Sequence, residues 1–231
     1  MLKGNELIER VNNLKDKEMN NCTYLAKSGY WDKIETSFKF PQGVIAMKLL
    51  RIRKVKDGRF IKNYELTYLN KAGKEKIYEV ISRNELIEPE DLGNKIAGVA
   101  IVATHKTEDK LLLLKEFRMA INKEIINVVS GMIDKDETVE ECIRRELYEE
   151  TGLTDITVKN ILNPAYSAVG MSDEKVIVAF VEVDGEFKDN SSMNESIKPK
   201  FYSREEVKKL LETEEFASRT QIICNLWVNP F

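Results

Sequence analysis

The sequence predicts a mixed α/β (α+β) fold, and three features carry that expectation. Strand-like runs occupy residues 45–55, 60–69 and 76–82, with Asn70, Lys71, Ala72 and Gly73 turning between the last two, the pattern of a small antiparallel sheet. Ile96 to Thr104 is almost continuously apolar, Lys106 to Lys110 turns it, and Leu111 to Phe117 resumes, as buried central strands do. Thr138 with Glu141 three residues later forms a capping box, Gly152 suits a left-handed stop, and Val139, Cys142, Ile143 and Leu147 recur at helical spacing between them. A helix over about 139–151 follows.

The remaining elements are read in chain order. Leu7, Val11 and Leu14 have helical spacing within residues 5–15, and an irregular aromatic stretch follows through Tyr24, Tyr30, Trp31, Phe38 and Phe40. Further strands are expected at 124–129, 156–162 and 175–183, around the 139–151 helix. Ser203 with Glu206 forms a second capping box that opens a helix to about 213, and a last helix is expected near 216–228. The organisation predicted is an N-terminal extension (1–57: a helix, the aromatic segment and a strand), a small antiparallel strand region (58–94) and a larger domain (95–231).

Composition narrows the function classes. The chain has 231 residues, 32% charged and 42% hydrophobic, a balance typical of a soluble globular protein. Its 36 basic and 39 acidic residues give a net charge of −3, so no global basic field exists to capture polynucleotide, and phosphates must be met by local Lys or Arg. Cys22, Cys142 and Cys224 are widely spaced and odd in number, which suits reduced, packed thiols. The one histidine, His105, precedes a turn and reads as a solvated loop residue. No apolar run reaches membrane-spanning length and no signal-peptide core is visible, so a cytoplasmic location is expected.

The chemistry lies in Gly131 to Leu153, GMIDKDETVEECIRRELYEETGL. At about 100° per residue, Glu146 and Glu150 fall within the apolar stripe, Glu149 borders it, and Glu141, Arg144 and Tyr148 lie opposite. A carboxylate on a buried stripe is costly to desolvate unless paired, so these three are expected to converge on a divalent cation. A solvated acidic helix is the alternative reading. A local ion pair of Arg145 with Glu137 is compatible with the metal, since it would brace the preceding loop against the helix.

Gly131, five residues, Glu137, seven residues, Arg145-Glu146-Leu147, one residue, Glu149-Glu150, one residue, Gly152-Leu153: in this pattern the segment resembles the Nudix hydrolases at every defined position. The resemblance implies an α/β/α sandwich around a mixed sheet and magnesium- or manganese-dependent cleavage of a nucleoside diphosphate linked to another group. It further implies metal ligation by Glu146, Glu150, Glu149 and the Ser130 carbonyl, a catalytic part for Arg145 and Glu149, and structural parts for Gly131, Glu137 and Gly152.

Glu116-Phe117-Arg118, the run Glu124 to Gly131, and Tyr78-Glu79-Val80-Ile81-Ser82-Arg83 resemble the ADP-ribose and nucleoside-diphosphate-sugar pyrophosphatase branch over roughly residues 58–228. The resemblance implies a homodimer with residues 58–94 at the contact, Arg118 on the substrate's phosphates, Phe60 and Tyr78 stacking on its base, and the Gly170-Met171 loop beside it. Arg118 as an exposed strand-end charge, and Phe60 and Tyr78 as plain packing residues, are the alternatives. Two departures stand out. Asn127-Val128-Val129-Ser130-Gly131 replaces a run that carries a carboxylate and a proline, and Ala168-Val169-Gly170 replaces Ser-Pro-Gly. The water-activating carboxylate of this branch comes from a mobile loop before a late strand, which Glu195 matches ahead of Phe201-Tyr202-Ser203; Glu174 competes for the role. The implied substrate is ADP-ribose, cleaved to AMP and ribose 5-phosphate. The alternatives are another nucleoside-diphosphate sugar or a dinucleotide, and, in a different class, a non-catalytic module that binds nucleotide sugars.

Overall fold

A computed structural model describes residues 47–188 and 194–230. The expected helix at 5–15, the aromatic stretch and Cys22 lie outside these residues. The chain order is β1 (Lys48–Asp57), β2 (Lys62–Leu69), β3 (Glu75–Ser82), β4 (Ile96–His105), β5 (Lys110–Arg118), β6 (Lys123–Asn127), β7 (Val129–Met132), α1 (Val139–Thr151), β8 (Asp155–Ile161), β9 (Ala165–Tyr166), β10 (Lys175–Asp184), β11 (Ile197–Ser203), α2 (Arg204–Thr213) and α3 (Ser218–Val228). Among the described residues no helix is long and apolar enough to cross a membrane.

Strands β1, β2 and β3 form an antiparallel sheet in that order, so the strand expected at the end of the N-terminal extension joins the two that follow it by pairing with β2. The β2–β3 turn is closed by the Asn70 side chain, which accepts from the amides of Ala72 (2.9 Å) and Lys74 (3.0 Å), with Gly73 at φ 72°. Tyr64, Leu66, Val80 and Leu86 form its small core, and the Tyr64 hydroxyl accepts from the Leu86 amide.

The second sheet is mixed, ordered β11-β5-β4-β10-β8, with β10 parallel to β4. Period-two alternation divides its side chains between two faces. Val99, Ile101, Leu112, Leu114 and Val129 join Cys142, Ile143 and Leu147 of α1 in one core. Ala100, Val102, Leu111, Leu113, Ile126 and Val128 join Val207 of α2 and Cys224 and Val228 of α3 in the other. The result is the expected α/β/α sandwich.

Strands β4 and β5 pair at Thr104 and Leu111, and beyond this hairpin each takes a new antiparallel partner: β7 lies on β4 and β6 on β5. The single strand expected at 124–129 is therefore two. The corner is Val128, whose amide bonds to Asn127 Oδ1 (3.0 Å) and Thr220 Oγ1 (3.3 Å) instead of a neighbouring strand. The last helix starts later than expected because the chain ahead of it adds to β6: the Ile126 amide donates to the Glu215 carbonyl and the Ala217 amide to that of Ile126. Strand β11 tolerates Pro199 because it is an edge strand paired only with β5.

His105 departs from the expected solvated loop position. It ends β4, packs edge-on against Phe201 with ring centroids 4.8 Å apart, and its Nδ1 accepts from the amides of Thr107 and Glu108, capping the β4–β5 turn. The ring is thus largely covered, with 11% of the side chain exposed, instead of standing free in a loop. Cys142 and Cys224 are buried free thiols, pushed up to about 12 mainly by burial.

Leu147 is fully buried in the α1 core. Leu147→Ala is expected to cost about 2–5 kcal/mol, read as a lower urea midpoint at unchanged slope.

Candidate functional site

Helix α1 presents the charged residues. Thr138 caps its N-terminus reciprocally with Glu141, and Gly152 ends it at φ 77°, where a Cβ would meet the backbone of Lys188 at 2.7 Å. Within this frame Arg145 makes six hydrogen bonds, one of them from Nη2 to Cys142 Sγ at 3.5 Å. Its Nε and Nη2 take the two oxygens of Glu137 at 2.7 and 2.9 Å, Nη2 also donates to the Met132 carbonyl at 2.8 Å, and Nη1 donates to Glu146 at 2.8 Å and Glu149 at 3.1 Å. The guanidinium holds Glu137 down at about 2 and is itself raised by its carboxylates. Glu137 also accepts from the Asp134 amide, so the loop 132–137 is tied to the helix through one side chain.

Glu146 is buried, and burial raises it although Arg145 opposes the rise. Its carboxyl packs on Gly131: a Cβ there would lie 1.8 Å from Glu146 Cδ, which is why the position has none. Glu150 accepts from the Ser130 amide at 3.3 Å and is pushed up to about 9, first by burial and then by Glu146 and Glu116. What separates Glu146 from Glu149 is the Arg145 guanidinium, and Glu149 is half exposed. Among the described residues no three acidic, histidine or cysteine side chains form a ready-made metal cluster.

These residues line a cleft of about 570 Å³. One side carries Glu146, Glu149, Glu150 and Ser130; Arg83, Arg118 and Arg219 also line it, as do Glu174 and Glu195. Arg83 Nε donates to Glu174 at 3.3 Å. Arg118 lies 3.5 Å from Glu116, a buried carboxylate that accepts from Asn127 Nδ2 at 2.7 Å. The Asn127 oxygen in turn accepts from the Thr220 hydroxyl at 2.6 Å. Glu195 precedes β11 beside Ser196, whose carbonyl accepts from the Phe117 amide, and its charge reaches Glu150.

The remaining expected residues lie outside this lining. Phe60 is 67% exposed in the β1–β2 turn, under the Arg59 guanidinium at 4.9 Å. The Tyr78 hydroxyl donates to the Gly170 carbonyl, and the Ile81 amide to that of Met171. These contacts tie the small sheet to the loop before β10. Arg83, Arg219 and Glu116 are not singled out by the sequence as site residues: Glu116 has a local signal, a carboxylate at the end of an apolar strand, Arg83 ends the strand-like run from Tyr78, and Arg219 has none.

The NUDIX domain model matches residues 94–223, more than half of the chain, which therefore belongs to that family. A putative nudix hydrolase 2 of Caenorhabditis elegans is 26% identical over 138 residues, 59% of this chain and 60% of that protein. An ADP-ribose pyrophosphatase of Bacillus subtilis (strain 168) is 28% identical over 123 residues, 52% of this chain and 66% of that protein. The chain thus spans less than two thirds of either relative's length. A solved structure described as an ADP compounds hydrolase shares the fold at TM-score 0.59 and 19% identity, over 81% of this chain and 95% of that one.

Two outcomes follow from this geometry. Gly131→Ala must displace the Glu146 carboxyl, and is expected to lower turnover on the order of a hundredfold with little loss of thermal stability. In the unfolded chain Glu150 loses its proton near 4.5, in the folded chain near 9, so between these values the folded state binds more protons and its stability falls as pH rises. Glu150→Gln removes that slope. In EDTA it is expected to raise Tm by roughly 2–4 °C or more near pH 8, with a smaller gain near pH 5, by calorimetry.

Proposed function

We propose that this Nudix-family protein hydrolyses the diphosphate bond of a nucleoside diphosphate linked to another moiety, with ADP-ribose, cleaved to AMP and ribose 5-phosphate, as the leading substrate. The observation that carries the reading is the cleft itself, where buried carboxylates of one helix share a cavity with Arg83 and Arg118. A diphosphate has the charge to be drawn to such arginines and is repelled by carboxylates unless a cation intervenes.

The donor set fits a hard divalent ion. Glu146, Glu150, Glu149 and the Ser130 carbonyl offer oxygens only, and a carboxyl held near 9 by burial and like charges is a group that a cation relieves. These oxygens would hold magnesium or manganese, which would neutralise phosphate charge and make a water more acidic. Arg145 keeps Glu146 and Glu149 oriented, and the Glu137 clamp fixes Arg145. Arg118 and Arg83 hold the non-bridging oxygens, the first steadied by Glu116 and the second by Glu174. Glu195 lines the cleft and its charge reaches Glu150, which supports it as the proton acceptor. Water adds to one phosphorus, its proton passes to Glu195, the bridging P–O bond breaks and the second phosphate leaves.

The exposed apolar side chains of the small sheet, Leu50, Val55 and Ile77, together with Phe60 nearby, support a homodimer built on that sheet, with residues 58–94 in the contact. Light scattering is expected to give twice the chain mass of 26.6 kDa.

The activity test is a panel of ADP-ribose, other nucleoside-diphosphate sugars and dinucleotides, with magnesium or manganese, scored for phosphatase-sensitive products. ADP-ribose should give the highest kcat/KM, and Glu146→Gln and Glu150→Gln should each reduce it at least about a hundredfold. Full turnover in both variants would exclude the metal assignment.

A further inference from the structure

Arg219 differs from the other arginines of the cleft. Arg83 is engaged by Glu174 and Arg118 faces Glu116, yet Arg219 has a buried Nε that donates to no acceptor among the described residues. A buried guanidinium donor without a partner is costly, and native proteins keep few of them outside sites that bind something.

Its position is built, not incidental. Strand β6 bonds to the chain just ahead of α3 through Ile126 with Glu215 and Ala217. One residue past Arg219, the Thr220 hydroxyl donates to Asn127 and accepts from the Val128 amide. Asn127 continues the chain of bonds to Glu116 and so to Arg118. Thr220, Asn127 and Glu116 are all buried, so the relay anchors two arginine-bearing segments to one another through the interior. The Asn127 amide donates to the buried Glu116 carboxylate, on the strand that carries Arg118.

We infer that Arg219 is a third anion-contacting arginine of the cleft, its guanidinium fork donating to non-bridging phosphoryl oxygens of the substrate. The inference rests on the diphosphate reading above. A phosphoryl group suits the position because a guanidinium fork needs an acceptor-only partner with paired oxygens, and the neighbouring carboxylates Glu174 and Glu116 pair with Arg83 and Arg118.

The test compares wild type, Arg219→Met and Arg219→Lys. With saturating magnesium, the affinity for inorganic pyrophosphate is measured by calorimetry, and kcat and KM are measured with ADP-ribose. In Arg219→Met the pyrophosphate Kd and the KM should each rise roughly tenfold or more while kcat stays within about threefold, because the contact exists in ground and transition states alike. Arg219→Lys should fall between, since it keeps the charge and loses the fork. Unchanged Kd and KM in Arg219→Met, or a wild type that binds no pyrophosphate, would overturn the inference. A folded variant is verified by its melting curve; if Arg219→Met fails to fold, equal pyrophosphate Kd in Arg219→Lys and wild type overturns it instead. Should wild type cleave none of the panel compounds while Arg219→Met still weakens pyrophosphate binding, the hydrolase reading falls and this inference stands.

Discussion

The Arg145 guanidinium is the interaction on which the site depends. It lies on α1, but two of its nitrogens are spent on Glu137 and one of them also on the Met132 carbonyl, in the loop that joins β7 to the helix. That clamp sets how closely α1 approaches β7, and the approach is close enough that Gly131 has no room for a side chain beside Glu146. The remaining nitrogen neutralises Glu146 and Glu149. Glu137 and Glu146 have only 12% and 10% of their side chains exposed, so little water is present to replace the guanidinium.

Around this clamp the sheet supplies the cavity. Strands β4 and β5 part after their hairpin, β7 follows one and β6 the other, and past the corner at Val128 the chain brings Ser130 to Glu150 of α1. The same corner receives α3 through Thr220, which ties the layer on the far face of the sheet to the site. A change in the second helical layer therefore reaches the cleft through hydrogen bonds as well as through packing.

Helix α1 was legible from the sequence down to both ends, because a capping box, an apolar stripe and a left-handed glycine are all local signals. The strands were legible as runs, and the burial of Glu146 followed from its place in the stripe. What stayed hidden was set by tertiary hydrogen bonds. The break at Val128 depends on Thr220, and the prominence of Arg219 depends on an absent acceptor; neither leaves a mark in the residues nearby. Arg145 paired with Glu137 as read, but its simultaneous hold on Glu146 and Glu149 needed the actual rotamers. His105 was misread because a histidine beside a turn looks solvated until Phe201 is brought against it.

The most direct measurement is a manganese titration, followed by electron paramagnetic resonance, of wild type and Glu137→Gln. Glu137 is assigned no contact with the ion, only the orientation of Arg145 and through it of Glu146 and Glu149. The account predicts manganese binding to wild type and a weakening of roughly tenfold or more in Glu137→Gln, with the melting curve showing a folded protein. Equal affinity in the two proteins would contradict it.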